Sequence, residues 1–202
     1  GVTGVQTCAL PILLWLMTLL WGLRLCLYLA RRNLGHGEDY RYVAMRKRWG
    51  PAFPLISFLT VYTLQGTLMW VVSLPVQLSH RAEGSIGVLA VIGVVLWAVG
   101  LYFEVVGDIQ LSRFKADPAN QGKVLDTGLW RYTRHPYYFG DACVWWGIAI
   151  VACSISVGVW GLIGAAVMNV LLLKVSGVAL LERSLVRRKP EYQTYIDRTS
   201  AF

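Results

Sequence analysis

Long runs of apolar residues, separated by short basic segments, dominate the pattern along this 202-residue chain. One helical membrane span needs about 20 apolar residues, and five runs approach or exceed that length. The turn around Ser154, before the last run, has almost no polar residues, which predicts a tight hairpin of two helices. The pattern predicts an all-α, polytopic membrane protein with about five transmembrane helices, over residues 9–30, 53–78, 85–107, 137–153 and 155–181.

Lysine and arginine residues predict the orientation of these helices, because cytoplasmic loops carry an excess of positive charge. If five helices alternate in direction, three basic segments fall on one side, whereas residues 79–84 on the other side contain only Arg81. We therefore expect an integral protein of a bacterial inner membrane, with its basic loops and C-terminus in the cytoplasm. The basic segments are the first loop (Arg31, Arg32, Arg41, Arg46, Lys47 and Arg48), the loop after the third helix (Arg113, Lys115, Lys123, Arg131 and Arg134) and the tail (Arg183, Arg187, Arg188, Lys189 and Arg198).

The composition agrees with a membrane protein. Apolar residues make up 56% of the chain and charged residues 15%, against about 45–50% and about 25% in soluble domains. The lipid bilayer is the expected partner, and the net charge of +8 needs no nucleic acid to explain it. The four cysteines have no paired spacing, so the sequence predicts neither a disulfide framework nor a metal site.

Residues 1–12 differ from the rest of the chain. They have no basic region and no cleavage pattern typical of a signal peptide. We interpret them as a non-native segment that is joined to a native sequence beginning near Leu13. The expected organisation is one transmembrane domain over residues 13–202 that lacks native N-terminal helices.

The segment 128–140, GLWRYTRHPYYFG, concentrates polar side chains at the foot of an apolar run. Guanidinium groups bind phosphate or carboxylate through paired N–H donors, and phenols offer both a ring and a hydroxyl. We interpret the segment as the anchor of an anionic, ring-bearing cofactor, and the alternative is an interfacial belt at the level of the lipid headgroups. The side chains concerned are Arg131, Tyr132, Arg134, His135, Tyr137 and Tyr138.

Carboxylates within apolar runs are costly and are therefore candidates for function. Glu104 and Asp108 are four residues apart and share a helix face. Three roles are open to them: binding amide or ribose hydroxyl groups, sharing a proton, or pairing with Arg113. Asp141, seven residues after Arg134, is placed to complete the same pocket.

Two polar segments are expected to border this pocket. Residues 117–123 are rich in turn formers and, with the second turn at 126–128, predict a polar cap over the cytoplasmic ends of the third and fourth helices. Residues 191–198 predict a short amphipathic helix with both of its tyrosines on one face. That helix either closes the pocket or lies on the membrane.

These motifs together resemble a known family. The runs DPANQGK at 117–123, GLWRYTRHPYYFGD at 128–141, WWG at 145–147 and EYQTYIDRTSAF at 191–202 are similar to the bacterial domain of unknown function 1295. That family belongs with the steroid 5-alpha-reductase C-terminal domains and, more distantly, with the sterol C14 and C7 reductases. The resemblance implies a seven-helix membrane fold, truncated here at its N-terminus. Its cytoplasmic loops and helix ends would hold NADPH, and its lipid-facing cavity an enone or other activated alkene.

The resemblance also implies roles for individual residues. Trp21 stands where the reductases carry a tyrosine that bonds the enone carbonyl, and an acidic residue of an earlier helix has no counterpart. Tyr28, on the same helix as Trp21, is then the candidate for the catalytic hydroxyl. Cofactor contacts are implied for Glu104, Asp108, Lys115, Tyr132, Arg134, His135, Tyr137, Asp141, Tyr192 and Arg198.

A second resemblance leaves an alternative open. The block Arg-His-Pro-x-Tyr-x-Gly is also similar to isoprenylcysteine carboxyl methyltransferases and phospholipid methyltransferases, whose cofactor is S-adenosylmethionine. Those enzymes tend to carry paired acidic residues after the last span, whereas Glu182 is followed here by Arg183. The resemblance therefore favours an NADPH-dependent reductase of a conjugated lipid or steroid-like substrate. A lipid methyltransferase is the alternative, and a non-enzymatic membrane scaffold is the third possibility.

Overall fold

The structure is a computed structural model that describes residues 9–35, 37–79, 86–175 and 177–202. Regular structure within these ranges consists of helices, without strands. The protein is therefore an all-helical membrane protein, as the hydropathy pattern predicts. Four helical stretches are long and apolar enough to cross a membrane: Ala9–Asn33, Arg41–Val72, Val88–Ala116 and Ser156–Arg188.

The first part of the chain forms two long helical stretches. Helix α1 is Ala9–Asn33. Asp39 then caps helix α2, Tyr40–Trp49, because its carboxylate accepts a hydrogen bond from the backbone N–H of Arg41 at 2.9 Å. Helix α3 follows in three parts, Phe53–Ser57, the π-helical Phe58–Thr63 and Leu64–Val72, and helix α4 is Leu74–Ser79.

Some sequence-based expectations concern residues outside the described ranges. Residues 1–8, which include Cys8, and residues 80–85, which include Arg81, are among these. Ala9 to Ile12, which the sequence analysis assigned to a separate N-terminal segment, form the first turn of α1.

The second part of the chain supplies most of the core. Its helices enclose a cluster of buried side chains that includes Val144, Ile148 and Val151, to which α1 contributes Leu10 and Leu14. Helix α5 is Val88–Ala116, α6 is Pro136–Ala152, α7 comprises Leu162–Val170 and the π-helical Leu171–Val175, α8 is Val178–Arg188 and α9 is Tyr192–Arg198.

Glycines allow α5 and α6 to pack with their backbones in contact. A Cβ atom at Gly100 would lie 2.5 Å from the carbonyl oxygen of Gly140, and one at Gly147 would lie 2.6 Å from that of Gly93. Small residues are common where membrane helices approach closely. The same packing places Glu104 of α5 directly against Gly140.

The predicted fourth span is α6, and it differs from the other spans. Its 17 residues are mostly buried by neighbouring helices, so it is a core helix and not a fourth lipid-facing span of full length. In the described part of the chain four helical stretches have the length and hydropathy of a span, and the shorter α6 corresponds to the segment predicted over residues 137–153. The predicted hairpin is confirmed: the chain reverses after α6 through the 3-10 helix Ser156–Gly161, where a Cβ at Gly158 would lie 1.8 Å from the carbonyl oxygen of Ala152.

Candidate functional site

A cavity of about 830 Å³ lies between α1, α5, α6, α8 and α9. Its volume is within the range of roughly 300–1,000 Å³ that small-molecule sites occupy. Along α5 the cavity extends from Glu104 to Lys115, which corresponds to about 16 Å of helix. Its inner end is surrounded by the long apolar helices, and its outer end reaches the loop over residues 117–125.

A polar cluster forms the inner end of the cavity. Arg24 of α1 donates from Nη1 to Asp108 Oδ2 at 2.8 Å and from Nη2 to Glu104 Oε2. Trp21, one turn earlier on α1, donates from Nε1 to Glu104 Oε1 at 3.2 Å. Because Glu104 is only 2% exposed, the charges of this cluster are stabilised by one another and not by water. The two carboxylates of α5 thus pair with Arg24 across the helix interface and not with Arg113.

Asp141 of α6 lies beside this cluster, where its carboxylate interacts with Arg24 and with Trp145. It is close enough to Glu104 for the two carboxylates to repel each other. Its Oδ1 atom is buried and has no hydrogen-bond partner among the described residues. Tyr28 of α1 also lines the cavity, near Asp108. A buried polar atom without a partner is unusual in a folded protein, and Asp141 is therefore a group that a proton or a ligand would satisfy.

Arg134 and His135 form a second cluster around Glu182 of α8. Arg134 Nε donates to Glu182 Oε1 at 2.8 Å, and His135 Nε2 lies 2.8 Å from the same oxygen. His135 is 1% exposed, and burial lowers its pKa although Glu182 favours the charged ring. The neutral ring donates from Nε2 to the carboxylate, which leaves Nδ1 buried with no hydrogen-bond partner among the residues that the structure describes.

The C-terminal tail is bound by the same arginine. Arg134 Nη1 donates to the carbonyl oxygen of Ile196 at 3.1 Å and to that of Thr199. Its backbone N–H donates to the carbonyl oxygen of Ser200 at 2.9 Å. Arg134 does line the cavity, but much of its hydrogen-bonding capacity joins the start of α6 to α8 and to the tail. The sequence motif predicts that this guanidinium binds a cofactor, and the structure gives it these protein partners in addition.

Helix α9 forms one wall of the cavity. Tyr192 and Tyr195 are buried on one face of this helix, with ring centroids 5.5 Å apart, and the hydroxyl of Tyr195 donates to the carbonyl oxygen of Trp130. Burial raises the pKa of Tyr192 to about 12 and also raises the pKa of Tyr195, so both phenols are neutral near pH 7. The predicted amphipathic helix is confirmed, and it closes the pocket.

Basic side chains surround the outer end of the cavity. Lys115 at the end of α5, Lys123 in the following loop and Lys189 after α8 all line it. Lys189 Nζ donates to the backbone carbonyl oxygen of Lys123 at 2.5 Å and so joins the loop to the end of α8. Asp117 begins the loop by accepting from the backbone N–H of Ala119 at 2.9 Å. This loop is the polar cap that the turn-forming residues predict.

The cavity brings together most of the residues selected from the sequence and leaves two of them outside. Tyr132 is 73% exposed, because it follows the 3-10 helix Gly128–Arg131 on the side away from the buried Thr133. Arg198 pairs with Asp126 at the surface. Neither Tyr132 nor Arg198 lines the cavity, which is lined by the other candidates: Tyr28, Glu104, Asp108, Lys115, Arg134, His135, Tyr137, Asp141 and Tyr192.

Sequence reasoning did not select Arg24, which the structure places at the centre of the inner cluster. Arg24 is the only charged residue between Ala9 and Ala30. A lone cation in an apolar span is a functional candidate for that reason alone, and this isolation was the signal that could have identified it.

Comparison with known proteins identifies the family to which the chain belongs. An uncharacterized protein of Schizosaccharomyces pombe is 23% identical over an alignment of 218 positions, which includes 96% of this chain and 62% of the relative. The chain thus spans less than two thirds of the length of that relative. No solved structure matches the chain. The family described as "Protein of unknown function (DUF1295)" matches residues 4–199, and this chain belongs to that family.

Proposed function

We propose that this chain is a membrane-embedded enzyme that uses NADPH to reduce a conjugated lipid or steroid-like substrate, with its basic loops in the cytoplasm. One observation carries the proposal: a continuous cavity joins buried ionisable groups at its inner end to lysines at its outer end. A long ligand with an anionic end and a polar, uncharged end matches that distribution of charge.

The outer end has the chemistry that phosphate groups require. Lys115, Lys123 and Lys189 line the cavity there, and the ammonium group of Lys189 donates one hydrogen bond to the loop and has two N–H donors left. Lysine binds phosphate as a point charge. Because Arg134 is largely bonded to Glu182 and the tail, these lysines and not Arg134 would hold most of the phosphate charge.

The inner end has the chemistry that an amide and ribose hydroxyl groups require. Asp108 and Asp141 offer acceptor oxygens there, and Tyr28 offers a hydroxyl. Between the two ends, the rings of Tyr137 and Tyr138 lie with centroids 4.2 Å apart and provide an aromatic surface for a base or a nicotinamide. Bound NADPH would supply the hydride, while the protein supplies binding and orientation.

The walls of the cavity suit an apolar substrate. Leu25 and Leu29 of α1 and Leu181 and Leu185 of α8 line the cavity alongside the polar residues. Burial of apolar surface is worth about 25 cal/mol per Å², so these walls favour a lipid-like compound over a small polar one. The reducible double bond would then lie between the aliphatic walls and the polar inner end.

Thermal unfolding of the detergent-purified chain tests the proposal. NADPH should raise the melting temperature, because a ligand at 100 times its dissociation constant adds about 2.7 kcal/mol of stability. S-adenosylhomocysteine serves as the control ligand and should leave the melting temperature unchanged. Stabilisation by S-adenosylhomocysteine alone would instead assign the chain to the lipid methyltransferases. Stabilisation by neither ligand would favour a non-enzymatic scaffold.

A further inference from the structure

Three carboxylates and one guanidinium meet at the inner end of the cavity. Glu104, Asp108 and Asp141 all interact with Arg24. With every group ionised, this cluster has one positive and three negative charges, a net charge of minus two. Such an excess is costly inside a membrane-spanning helix bundle, where water does not compensate it.

The excess charge falls on Glu104 and Asp141. Asp108 accepts from Arg24 Nη1 at 2.8 Å, and it also interacts with Arg32 and with the hydroxyl of Tyr28 further along α1. Arg24 is the cation that acts on both Glu104 and Asp141 in the described part of the chain. Two carboxylates that share a site of low polarity do not both ionise, because each disfavours the charge of the other.

Both members of this pair line the cavity, but they differ in the hydrogen bonds that they already make. Glu104 is 2% exposed and is already bonded to Trp21 and Arg24. Asp141 is half-buried as a residue, and its Oδ1 atom has no hydrogen-bond partner in the described ranges. The carboxyl of Asp141 is therefore the one that has hydrogen-bonding capacity left for a bound molecule.

We propose that Glu104 and Asp141 hold one proton between them and that Asp141, as the neutral acid, donates a hydrogen bond to a carbonyl oxygen of the bound ligand. Other enzymes keep a carboxylic acid neutral in an apolar site so that it donates in this way. The identity of the carbonyl rests on the proposed function: it belongs either to the nicotinamide carboxamide or to the conjugated substrate.

Infrared spectroscopy of the full chain in detergent, without nucleotide, tests the shared proton. We expect a carboxylic acid C=O band at neutral pH that shifts in D2O. Either Asp141→Asn or Glu104→Gln should abolish the band, because the remaining carboxylate would be neutralised by Arg24. Asp197→Asn, at an exposed carboxylate of α9, is the matched control and should retain the band. A wild-type chain without the band, or a band lost in only one of the two variants, would overturn the shared proton.

Two carbonyl-labelled probes test the hydrogen bond: NADP+ labelled with 13C at its carboxamide, and progesterone labelled at its conjugated ketone. The acceptor's C=O band should move to lower frequency on binding, and the probe that shifts identifies the source of the carbonyl. Asp141→Leu, which has no donor, should abolish the shift, and Asp141→Asn, which keeps an N–H donor, should restore part of it. No shift with either probe would overturn the donor role of Asp141. A failure of the proposed function gives a different result: the carboxylic acid band is present, but NADPH does not stabilise the chain.

Discussion

Glu182 of α8 accepts a hydrogen bond at 2.8 Å from Arg134, which lies just before α6. The two side chains are 16% and 10% exposed, and His135 contacts the same carboxylate oxygen. One carboxylate thus joins the last long helix to the most distinctive motif of the sequence. Its role in this structure is to hold that motif in place beside the cavity.

The first prediction concerns this carboxylate. Glu182→Gln removes the charge that Arg134 and His135 share, and we expect it to lower the free energy of unfolding by about 1.5–3 kcal/mol, the scale of a hydrogen bond to a charged group. Thermal or denaturant unfolding in detergent measures the change. Glu191→Gln, at an exposed position before α9, should have little effect. Equal losses from both variants would contradict a specific role for Glu182.

The second prediction separates the structural role of Arg134 from a ligand-binding role. Arg134→Ala should release the tail, because this side chain binds the carbonyl oxygens of Ile196 and Thr199. Hydrogen exchange over residues 196–201 should therefore become faster, and the melting temperature should fall. Arg131→Ala, an exposed arginine of the same loop, is the control. If Arg134→Ala weakened NADPH binding but left hydrogen exchange in the tail slow, the main role of the guanidinium would be to bind the ligand.

The third prediction is a pH dependence that arises from His135. Burial lowers the folded-state pKa of His135 below its ordinary value of about 6.5, so the unfolded chain binds this proton more readily. The contribution to stability is therefore present above about pH 6.5 and is lost as the pH falls below it, by at most about 1.4 kcal/mol per pH unit.

Melting temperatures of the wild type and of His135→Asn, compared across that pH range, measure this contribution. The wild type should lose more stability than the variant on acidification. A wild type that gained stability relative to the variant at low pH would show that Glu182 keeps the ring protonated in the folded chain.

The fourth prediction concerns the contact between α5 and α6. Gly140→Ala would place a Cβ atom 2.6 Å from the carbonyl oxygen of Gly100 and 2.7 Å from Glu104 Cγ. We expect a loss of about 1–3 kcal/mol, which is typical of overpacking, and a weaker NADPH interaction because the inner cluster moves. Gly66→Ala, where nothing lies within 4 Å of the new atom, should be neutral or stabilising. Similar stability for both variants would mean that α5 and α6 can move apart at the new Cβ atom without a loss in the free energy of unfolding.

The fifth prediction tests the lysines at the outer end and rests on the proposed function. Lys189→Gln should weaken NADPH binding by about five- to tenfold, or about 1–1.4 kcal/mol, because it removes one phosphate-binding charge. Arg187→Gln, an exposed position in the same basic run, should change binding little. Titration of both variants with NADPH measures the difference. Equal weakening would indicate that the bases act only through their general charge.

Much of the architecture could be predicted from the sequence, because its determinants are local. Apolar run length sets where a helix can cross a membrane, so the predicted spans fall close to those in the structure. The reversal after Ala152, the cap that begins at Asp117 and the tail helix with Tyr192 and Tyr195 on one face depend on residues close together in the chain. The apolar run 137–153 already indicated that α6 is short. The pattern did not show that α6 lies in the core, because hydropathy does not distinguish burial by protein from burial by lipid.

The partners of the polar groups were decided by the tertiary structure alone. Arg24 and Glu104 are 80 residues apart, and Arg134 and Glu182 are 48 apart. Their pairing depends on which helices are neighbours and at what height they cross, and the glycine contacts between α5 and α6 set part of that geometry. The sequence by itself thus determined that costly polar groups exist within the spans. The packing of the helices decided that Arg134 binds the tail, that Arg24 binds the carboxylates of α5, and that the Oδ1 atom of Asp141 has no hydrogen-bond partner among the described residues.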